Sequence, residues 1–294
     1  MNIQSLSVCV PSKKCINDCK FCCSKMHTSD YEDRFSSVGS YLQYSEDMKK
    51  RAEYARENGC NTCMLTGNNE PQQNKEFLKV FSEINRTLKY PFLNIEMQTT
   101  GAFIDDEYFD FLKHSVGVTT VAVSVACLDC DENNREMIGT SDKELSVSRL
   151  CQRIKNLDMN LRICLNMNDG ILKGHPFTTK SIIDICASLG ADQILFRALW
   201  APDLNSDQGK WIEDNVTEKT FSLISELKKE IKREGRYLDT LEYGADRYDF
   251  HGFSVVIDED SMSQDENKEA VKYLILRPNG HLYSKWDSKA SLIF

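Results

Sequence analysis

Short apolar segments alternate with amphipathic segments along the chain as far as Gly235. Apolar runs rich in β-branched residues are typical of strands covered on both faces, and a period of about 3.6 residues is typical of helices packed on such strands. The pattern predicts six strands, each followed by a helix. The strands are predicted at Ile3–Val10, Thr62–Thr66, Leu93–Thr99, Val118–Ala126, Leu161–Met167 and Gln193–Leu199.

The helices between and after these strands complete a series of strand–helix units. They are predicted at Ser45–Asn58, Asn74–Leu88, from Asp105 onward, Asp142–Asn156, Thr178–Leu189 and Thr217–Glu234. Six such units in succession imply right-handed crossovers and a parallel α/β sheet. Periodicity alone leaves two architectures open, an open doubly wound sheet and a partial barrel.

The alternation ends after Gly235, so residues 1–235 are predicted to form the core and 236–294 a small C-terminal β extension that caps it. Strands are predicted there at Phe253–Asp258, Val271–Leu276 and His281–Trp286, with a turn at Pro278–Gly280 and an exposed polar loop at Asp258–Lys268.

The composition narrows the classes of protein that fit this pattern. The chain has 294 residues, 41% of them hydrophobic, which is enough for one large α/β domain or two small ones. Its formal net charge of −9 argues against binding long nucleic acid through bulk electrostatics. No apolar run reaches the length of a membrane helix, and the N-terminus lacks the features of a signal peptide. We therefore expect a cytoplasmic protein with a small-molecule substrate and no membrane partner.

Twelve cysteines need an explanation, because disulfides rarely persist in the cytoplasm. Cys164 and Cys186 lie inside apolar runs, where cysteine usually acts as a small buried hydrophobic residue. High cysteine usage without an oxidising compartment also suits an anaerobic organism.

Cys15, Cys19 and Cys22 lie close together directly after the first predicted strand. Thiolates bind iron–sulfur clusters, and three of them leave one iron of a [4Fe–4S] cube without a protein ligand. Zinc is an alternative, with His27 or Cys23 as the fourth ligand.

The Cys-x3-Cys-x2-Cys spacing, with Phe21 before the third cysteine, resembles the signature of the radical S-adenosylmethionine (SAM) superfamily. The resemblance covers about Ser5–Leu199 and implies a partial (β/α)6 TIM-type barrel. It also implies that SAM chelates the open iron of a [4Fe–4S] cluster. An electron from a donor such as flavodoxin or ferredoxin then splits SAM to a 5′-deoxyadenosyl radical, which removes hydrogen from the substrate.

Polar residues interrupt the apolar strands near their carboxyl ends, where parallel α/β proteins bind ligands. Gly67-Asn68-Asn69-Glu70-Pro71 resembles the family's Gly-Gly-Glu-Pro motif for the SAM amino group, with Glu70 and Pro71 retained and Asn68-Asn69 in place of the glycine pair. Asparagine tolerates positive φ better than most residues, so we expect it to adopt the backbone conformation of the motif. The resemblance places Ser124 at the ribose and Arg135, or alternatively Arg197, at the SAM carboxylate. The predicted SAM-binding residues are Phe21, Gly67, Asn68, Asn69, Glu70, Thr99, Ser124, Arg135, Asn166 and Arg197.

Two further cysteine pairs, Cys60-x2-Cys63 and Cys127-x2-Cys130, are incomplete as metal sites. A second cluster needs about four thiolates. The sequence does not determine whether either cysteine pair binds a metal.

Three stretches are similar to a narrow set of bacterial radical SAM proteins associated with cleavage of queuine. They are Leu65–Gln73, Ile95–Gly101 and Tyr273–Pro278. This resemblance implies a deazapurine base as the substrate, and a lyase that breaks its carbon–nitrogen bond to leave an aminomethyl-deazaguanine for queuosine salvage. The predicted substrate contacts are Glu96 and Asp287 at the guanine-like edge and Gln98, Asn168 and Lys285 at the diol. No catalytic residue is predicted.

Two alternatives of other classes stay open. One is a viperin-like radical SAM nucleotide dehydratase, although the acidic C-terminal extension shows no obvious cluster of Lys and Arg for a triphosphate. The other is a non-catalytic iron–sulfur electron carrier, which would normally use four cysteines and needs no barrel.

Overall fold

The computed structural model describes residues 2–12, 14–26, 40–241, 245–258, 270–286 and 288–294. Its described strands form a single mixed sheet in the order β11-β10-β1-β2-β3-β4-β5-β6-β9-β8-β7. The strands are β1 (Asn2–Cys9), β2 (Thr62–Thr66), β3 (Asn94–Thr99), β4 (Thr120–Val125), β5 (Asn160–Met167), β6 (Gln193–Ala198), β7 (Arg236–Thr240), β8 (Asp246–Phe250), β9 (Phe253–Asp258), β10 (Ala270–Leu276) and β11 (Leu282–Tyr283).

The parallel part of the sheet is the partial barrel that the sequence predicts. Strands β1 to β6 pair in parallel and in chain order, which confirms the six predicted strand–helix units. Two later strands extend this parallel set, because β9 pairs with β6 and β10 pairs with β1. Antiparallel strands lie beyond them, β8 and β7 on one side and β11 on the other, so the sheet is not closed.

One ion pair joins the two ends of the parallel set. Asp258 on β9 lies 3.6 Å from the ammonium group of Lys272 on β10, and both side chains are 11% exposed. This contact spans the seam of the open barrel. The strands after residue 235 thus continue the same sheet, and a division of the chain at that point stays a prediction. Most of the predicted loop Asp258–Lys268 lies outside the described residues.

Helices cover the outer face of the sheet. They are α1 (Cys23–Met26), α2 (Ser45–Glu57), α3 (Lys75–Thr87), α4 (Asp106–Asp110, continued by a π-helical turn at Phe111–Val116), α5 (Asp131–Ile138), α6 (Val147–Asn156), α7 (Thr179–Ser188), α8 (Asp207–Asn215) and α9 (Glu218–Glu234). Asn74 begins α3 by accepting a hydrogen bond from the Phe77 amide, and Thr178 caps α7 in the same way. None of the helices in the described part of the chain is long and apolar enough to cross a membrane.

One predicted helix is shorter in the structure, and a helix that was not predicted precedes it. The segment predicted as Asp142–Asn156 begins only at Val147, and a separate helix, α5, precedes it. Gly139 ends α5 in the left-handed region with φ 59°. The sequence pattern did not reveal α5 because its apolar face is narrow, with only Asn134 and Ile138 buried.

Alternation along the strands gives the barrel two different faces. On β1, Leu6 and Val8 are fully buried in the main hydrophobic core under the helices. Ser5 and Ser7 point the other way and line the barrel interior. The interior therefore carries polar as well as apolar side chains, and the site lies within it.

Candidate active site

A cavity of about 570 Å³ occupies the barrel interior, a size typical of small-molecule sites. The cluster loop closes one part of it, and inward-facing side chains of the strands form its walls. The predicted site residues that line this cavity are Cys15, Cys19, Phe21, Cys22, Gly67, Asn68, Asn69, Glu70, Glu96, Gln98, Thr99, Ser124, Asn166 and Arg197.

The three cysteines of the signature lie together in the loop between β1 and α1. Burial raises the pKa of the Cys22 thiol to about 11. The pKa of Cys19 is raised by burial and further by the nearby thiols of Cys22 and Cys15 and the carboxylate of Glu70. All three cysteines line the cavity, so the loop presents three thiols to it.

The end of α5 anchors the cluster loop through its backbone. The Asp18 amide donates to the carbonyls of Ile138 (3.2 Å) and Gly139 (3.1 Å), and the Lys20 amide donates to Met137 (2.9 Å). A Cβ atom on Gly139 would lie 2.4 Å from the Asp18 carbonyl oxygen. Only glycine permits this approach, since it also has φ 59°. The sequence did not indicate this role, because the contact joins segments 120 positions apart.

Glu70 connects the turn after β2 to the cluster loop and to the end of β3. Its Oε2 accepts a 2.6 Å hydrogen bond from the Thr99 hydroxyl. Its Oε1 accepts from the Asn17 side-chain amide at 3.0 Å, and the Thr100 amide lies within 3.2 Å of both oxygens. Glu70 is only 6% exposed, so these donors hold a buried carboxylate in one orientation.

Residues after Glu70 extend this support. The Gln73 carboxamide oxygen accepts from the amides of Ile16 and Glu70, and its NH2 group donates to the Lys14 carbonyl at 2.7 Å. Asn74 donates to the Pro11 carbonyl at 2.8 Å. Gln73 and Asn74 were not predicted as site residues; the sequence signal was a run of three carboxamides, Gln72 to Asn74, directly after the Glu70-Pro71 pair.

Gly67 is where the motif needs glycine. It has φ 147°, and a Cβ atom there would lie 3.3 Å from the Val10 amide nitrogen. Among the described non-glycine residues, positive φ occurs only at Phe103, Asp158 and His251. The expectation that Asn68 or Asn69 takes a left-handed conformation is therefore wrong. Asn69 instead donates through its side chain to the Val10 carbonyl at 3.1 Å.

A polar network crosses the cavity between β3, β5 and β6. Arg162 pairs with Glu96, whose side chain is 3% exposed, and its Nε donates to the Gln193 carboxamide oxygen at 2.7 Å. The Gln98 amide donates to Glu96 at 3.1 Å. We call Glu96, Gln98, Arg162 and Gln193 the polar floor. Arg162 and Gln193 were not predicted, because a charged residue near the start of a strand is usually solvated.

Arg197 lies in a row of polar residues on neighbouring strands. It is in register with Asn166 on β5 and with Asp258 on β9. Its Nε is buried and has no hydrogen-bond partner among the residues that the structure describes. A buried donor of this kind is costly unless a further group satisfies it.

The structure does not bring three predicted residues to the cavity. Arg135 lies on α5 and donates to the Leu145 carbonyl at 2.8 Å, away from the cavity. Asn168 is fully buried in a turn, where it donates to the carbonyls of Ala126 and Asn166. Lys285 is exposed and does not line the cavity. Asp287 lies outside the described residues.

The other cysteine pairs have local protein contacts. Cys60 and Cys63 are fully buried, and burial raises the pKa of Cys60 to about 12. The Cys127 sulfur lies 3.6 Å from a carboxylate oxygen of Asp129. The Asp129 carboxylate also accepts hydrogen bonds from the backbone amides of residues 173–175. Within the described residues, no three His, Cys, Asp or Glu side chains converge as ligands of a single metal ion do. Thiolates that bind different irons of one cube need not converge in this way.

The residues around the cysteine loop fit a [4Fe–4S] cluster with SAM. The donor set is three thiolates, which is one fewer than a cube needs for full protein ligation. Beside them the buried side-chain oxygen of Asn69 and Nε of Arg197 have no hydrogen-bond partner within the described residues. Gly67 lets the turn after β2 approach the Val10 backbone closely.

Comparison with known proteins identifies the family. The family model of the radical SAM superfamily matches residues 9–171, more than half of the chain, and the chain belongs to that superfamily. Its members use a [4Fe–4S] cluster and SAM. Comparison with curated proteins finds no match.

Solved radical SAM structures have the same fold. Native anSMEcpe with bound AdoMet is 15% identical, with a TM-score of 0.60 over 99% of this chain and 77% of that chain. A further structure of that protein holds AdoMet and the Cp18Cys peptide, with a TM-score of 0.59 over 98% of this chain and 75% of that one. Coproporphyrinogen III oxidase (HemN) from Escherichia coli is 15% identical, with a TM-score of 0.54 over 81% of this chain and 54% of that one. These likenesses confirm the fold.

Proposed function

We propose that this chain is an enzyme that cleaves SAM reductively and removes hydrogen from a small heterocyclic substrate, queuine or a related deazapurine. The observation that carries the substrate class is the polar floor, which offers a buried carboxylate beside guanidinium and carboxamide donors. The cavity of about 570 Å³ must hold SAM as well, so the substrate is small.

Cys15, Cys19 and Cys22 would hold the cluster, and the turn from Gly67 to Glu70 would receive the SAM amino group. The bound cluster and SAM supply a 5′-deoxyadenosyl radical. In this chain Glu70 fixes the turn against the cluster loop, and Gln73 fixes the loop backbone. Of the two arginines considered for the SAM carboxylate, Arg197 lines the cavity, whereas Arg135 is engaged elsewhere.

The remaining SAM contacts follow from position on the strands. Ser124 at the end of β4, with Thr99 on β3, is proposed to face the ribose, and Asn166 and Phe21 complete the wall around it. The SAM molecule would then lie across the carboxyl ends of β2 to β6, where the family binds it.

The polar floor matches the edge of a guanine-like base. Such an edge presents N–H donors next to a carbonyl acceptor. Glu96 accepts hydrogen bonds through its carboxylate, while Arg162 carries five N–H donors, two of which the bonds above use. Gln98 would contact the diol of queuine, and the product would be an aminomethyl-deazaguanine, as in a queuosine-salvage lyase.

A nucleotide is the second candidate substrate. Arg247, Lys272 and Arg277 from the C-terminal segment line the cavity, which the sequence did not lead us to expect. Basic side chains favour a phosphate-bearing ligand, as in a viperin-like enzyme. Two of them have carboxylate partners, Asp239 for Arg247 and Asp258 for Lys272, which makes the base the better candidate.

An external electron donor and a reducing compartment are part of the proposal. No residue of a one-cluster enzyme supplies the electron, so a flavodoxin or ferredoxin would. All twelve cysteines are free thiols, which is usual in the cytoplasm.

Anaerobic incubation of reconstituted protein with SAM and dithionite tests the proposal. We expect 5′-deoxyadenosine, a larger yield when queuine is added, and aminomethyl-deazaguanine as a product. Cys19→Ala is the control and should give none of these. Yield stimulated by CTP or UTP but not by queuine would favour the nucleotide, and no 5′-deoxyadenosine with any substrate would exclude SAM cleavage.

A further inference from the structure

An apolar cluster lies inside the barrel, apart from the main core. Its buried members are Cys9, Tyr273, Ile275 and Tyr283, and Met64 and Trp286 are only partly buried against it. Of these, Met64, Tyr273 and Trp286 line the cavity. Partly buried apolar surface that faces a water-accessible cavity is unfavourable, and a ligand with an apolar face would cover it.

Two of these side chains form an aromatic wall. The ring centroids of Tyr273 and Trp286 are 6.1 Å apart with an interplanar angle of 53°. Tyr273 is on β10, whereas Trp286 lies beyond β11. We call Tyr273, Trp286 and Met64 the aromatic wall.

Arg277 fixes the position of Trp286. Its guanidinium donates to the Trp286 carbonyl at 3.0 Å, and its carbon lies 5.9 Å from the Trp286 ring and 5.7 Å from the Tyr283 ring. Arg277 is only 1% exposed. A buried guanidinium between two rings restrains both of them, so the indole is held in place before a ligand arrives.

The aromatic wall and the polar floor adjoin each other. Met64 is the register partner of Glu96, and the Gln98 amide reaches the Met64 sulfur at 3.5 Å. A molecule that touches both surfaces needs a flat apolar face and a polar edge. Planar heterocyclic bases have this combination, and they stack favourably on aromatic side chains.

We propose that Trp286, with Tyr273 and Met64, is the stacking subsite for a planar heterocyclic base whose edge binds the polar floor. The inference rests on the proposed function, because it names the residues that recognise the substrate's face. The sequence had suggested its neighbour Lys285 for the diol, and the subsite gives Trp286 a different contact, with the face of the base.

Equilibrium binding tests this subsite without turnover. Reconstituted protein with its cluster oxidised and SAM bound is titrated anaerobically with queuine and with 7-deazaguanine. Trp286→Leu should weaken the binding of both bases on the order of 10- to 100-fold, while Trp286→Phe should stay within about threefold of the wild type. Lys285→Ala is the matched control and should bind like the wild type. SAM affinity should be unchanged in all variants.

Tryptophan fluorescence gives a second measurement that does not depend on the leucine variant folding. Stacking of a base on Trp286 should quench emission of the wild type, and Trp286→Phe should lose that quenching while keeping its affinity. Equal base affinity in wild type and Trp286→Leu, an equal loss of SAM affinity, or no binding of either base to the wild type would overturn the subsite. Absence of SAM cleavage, with base binding intact, would instead overturn only the proposed function.

Discussion

A single carboxylate, Glu70, joins the segments that form the SAM side of the site. Its donors come from the cluster loop (Asn17) and from the end of β3 (Thr99 and Thr100). A buried carboxylate is stable only when such donors surround it. The contacts therefore couple the position of the cysteine loop to the position of the sheet, and through them Glu70 would position a cluster bound to the loop.

Replacing Glu70 by Gln tests this coupling. The amide keeps the size of the side chain but turns one acceptor oxygen into a donor, which leaves Thr99 or Asn17 facing another donor. We expect a loss of about 1–3 kcal/mol in unfolding free energy and weaker SAM binding, measured by denaturant titration and equilibrium binding. Glu144→Gln, on an 85% exposed side chain, is the control and should change neither. If the two variants have the same unfolding free energy and the same SAM affinity, the hydrogen bonds of Glu70 do not stabilise the site.

At the scale of elements, the cluster loop is held between a turn and a helix end. Gln73 binds its first part, and the carboxyl end of α5 binds its second part through the amides of Asp18 and Lys20. A loop with both halves fixed presents three thiols in one arrangement, which lowers the entropy lost when the cluster assembles.

Gly139→Ala should disturb this arrangement. The new Cβ would lie 2.4 Å from the Asp18 carbonyl oxygen and would push the loop away from α5. Gly252→Ala is a matched control, because Gly252 also has positive φ, 88°, but has nothing within 4 Å of a Cβ. Both variants should lose about 1 kcal/mol from backbone strain, and only Gly139→Ala should also lose bound iron. The measurement is the iron content per chain of the two variants. An iron content of Gly139→Ala equal to that of the wild type would contradict the anchoring role of Gly139.

The polar floor links β3 to β5 through the Glu96–Arg162 pair. Removing one partner of such a pair leaves the other charge buried, whereas removing both does not. Arg162→Leu should therefore lower the unfolding free energy by about 2–4 kcal/mol, and Arg162→Leu combined with Glu96→Met should recover part of that loss. Denaturant titration of the two single variants and the double variant measures the coupling. Strictly additive effects would show that the pair does not act as a unit.

At the scale of the whole molecule, the sequence predicts the elements that bury a regular row of apolar residues in the main core. Strands β1 to β6 are such elements, and the cysteine spacing adds the family and the barrel. The parallel pairing of β9 with β6 and of β10 with β1 was not predicted, because it depends on contacts between segments far apart in the chain. Their local pattern fits a hairpin equally well.

The sequence likewise predicted only part of the site. Residues within motifs, such as Cys19 and Glu70, reach the cavity as expected. Arg162 and Trp286 carry no local signal, because their roles come from neighbours across the sheet and the seam. Arg135 failed to reach the cavity because α5, which the pattern did not reveal, directs its side chain toward Leu145.

The central claim is that three thiolates hold a [4Fe–4S] cube with one iron open to SAM. Electron paramagnetic resonance of the anaerobically reconstituted, dithionite-reduced protein tests it most directly, together with iron and sulfide analysis. We expect about four irons and four sulfides per chain, a spectrum that changes when SAM is added, and loss of the cluster in Cys15→Ala, Cys19→Ala and Cys22→Ala but not in Cys23→Ala. Bound zinc, or a cluster whose spectrum does not change when SAM is added, would contradict this claim.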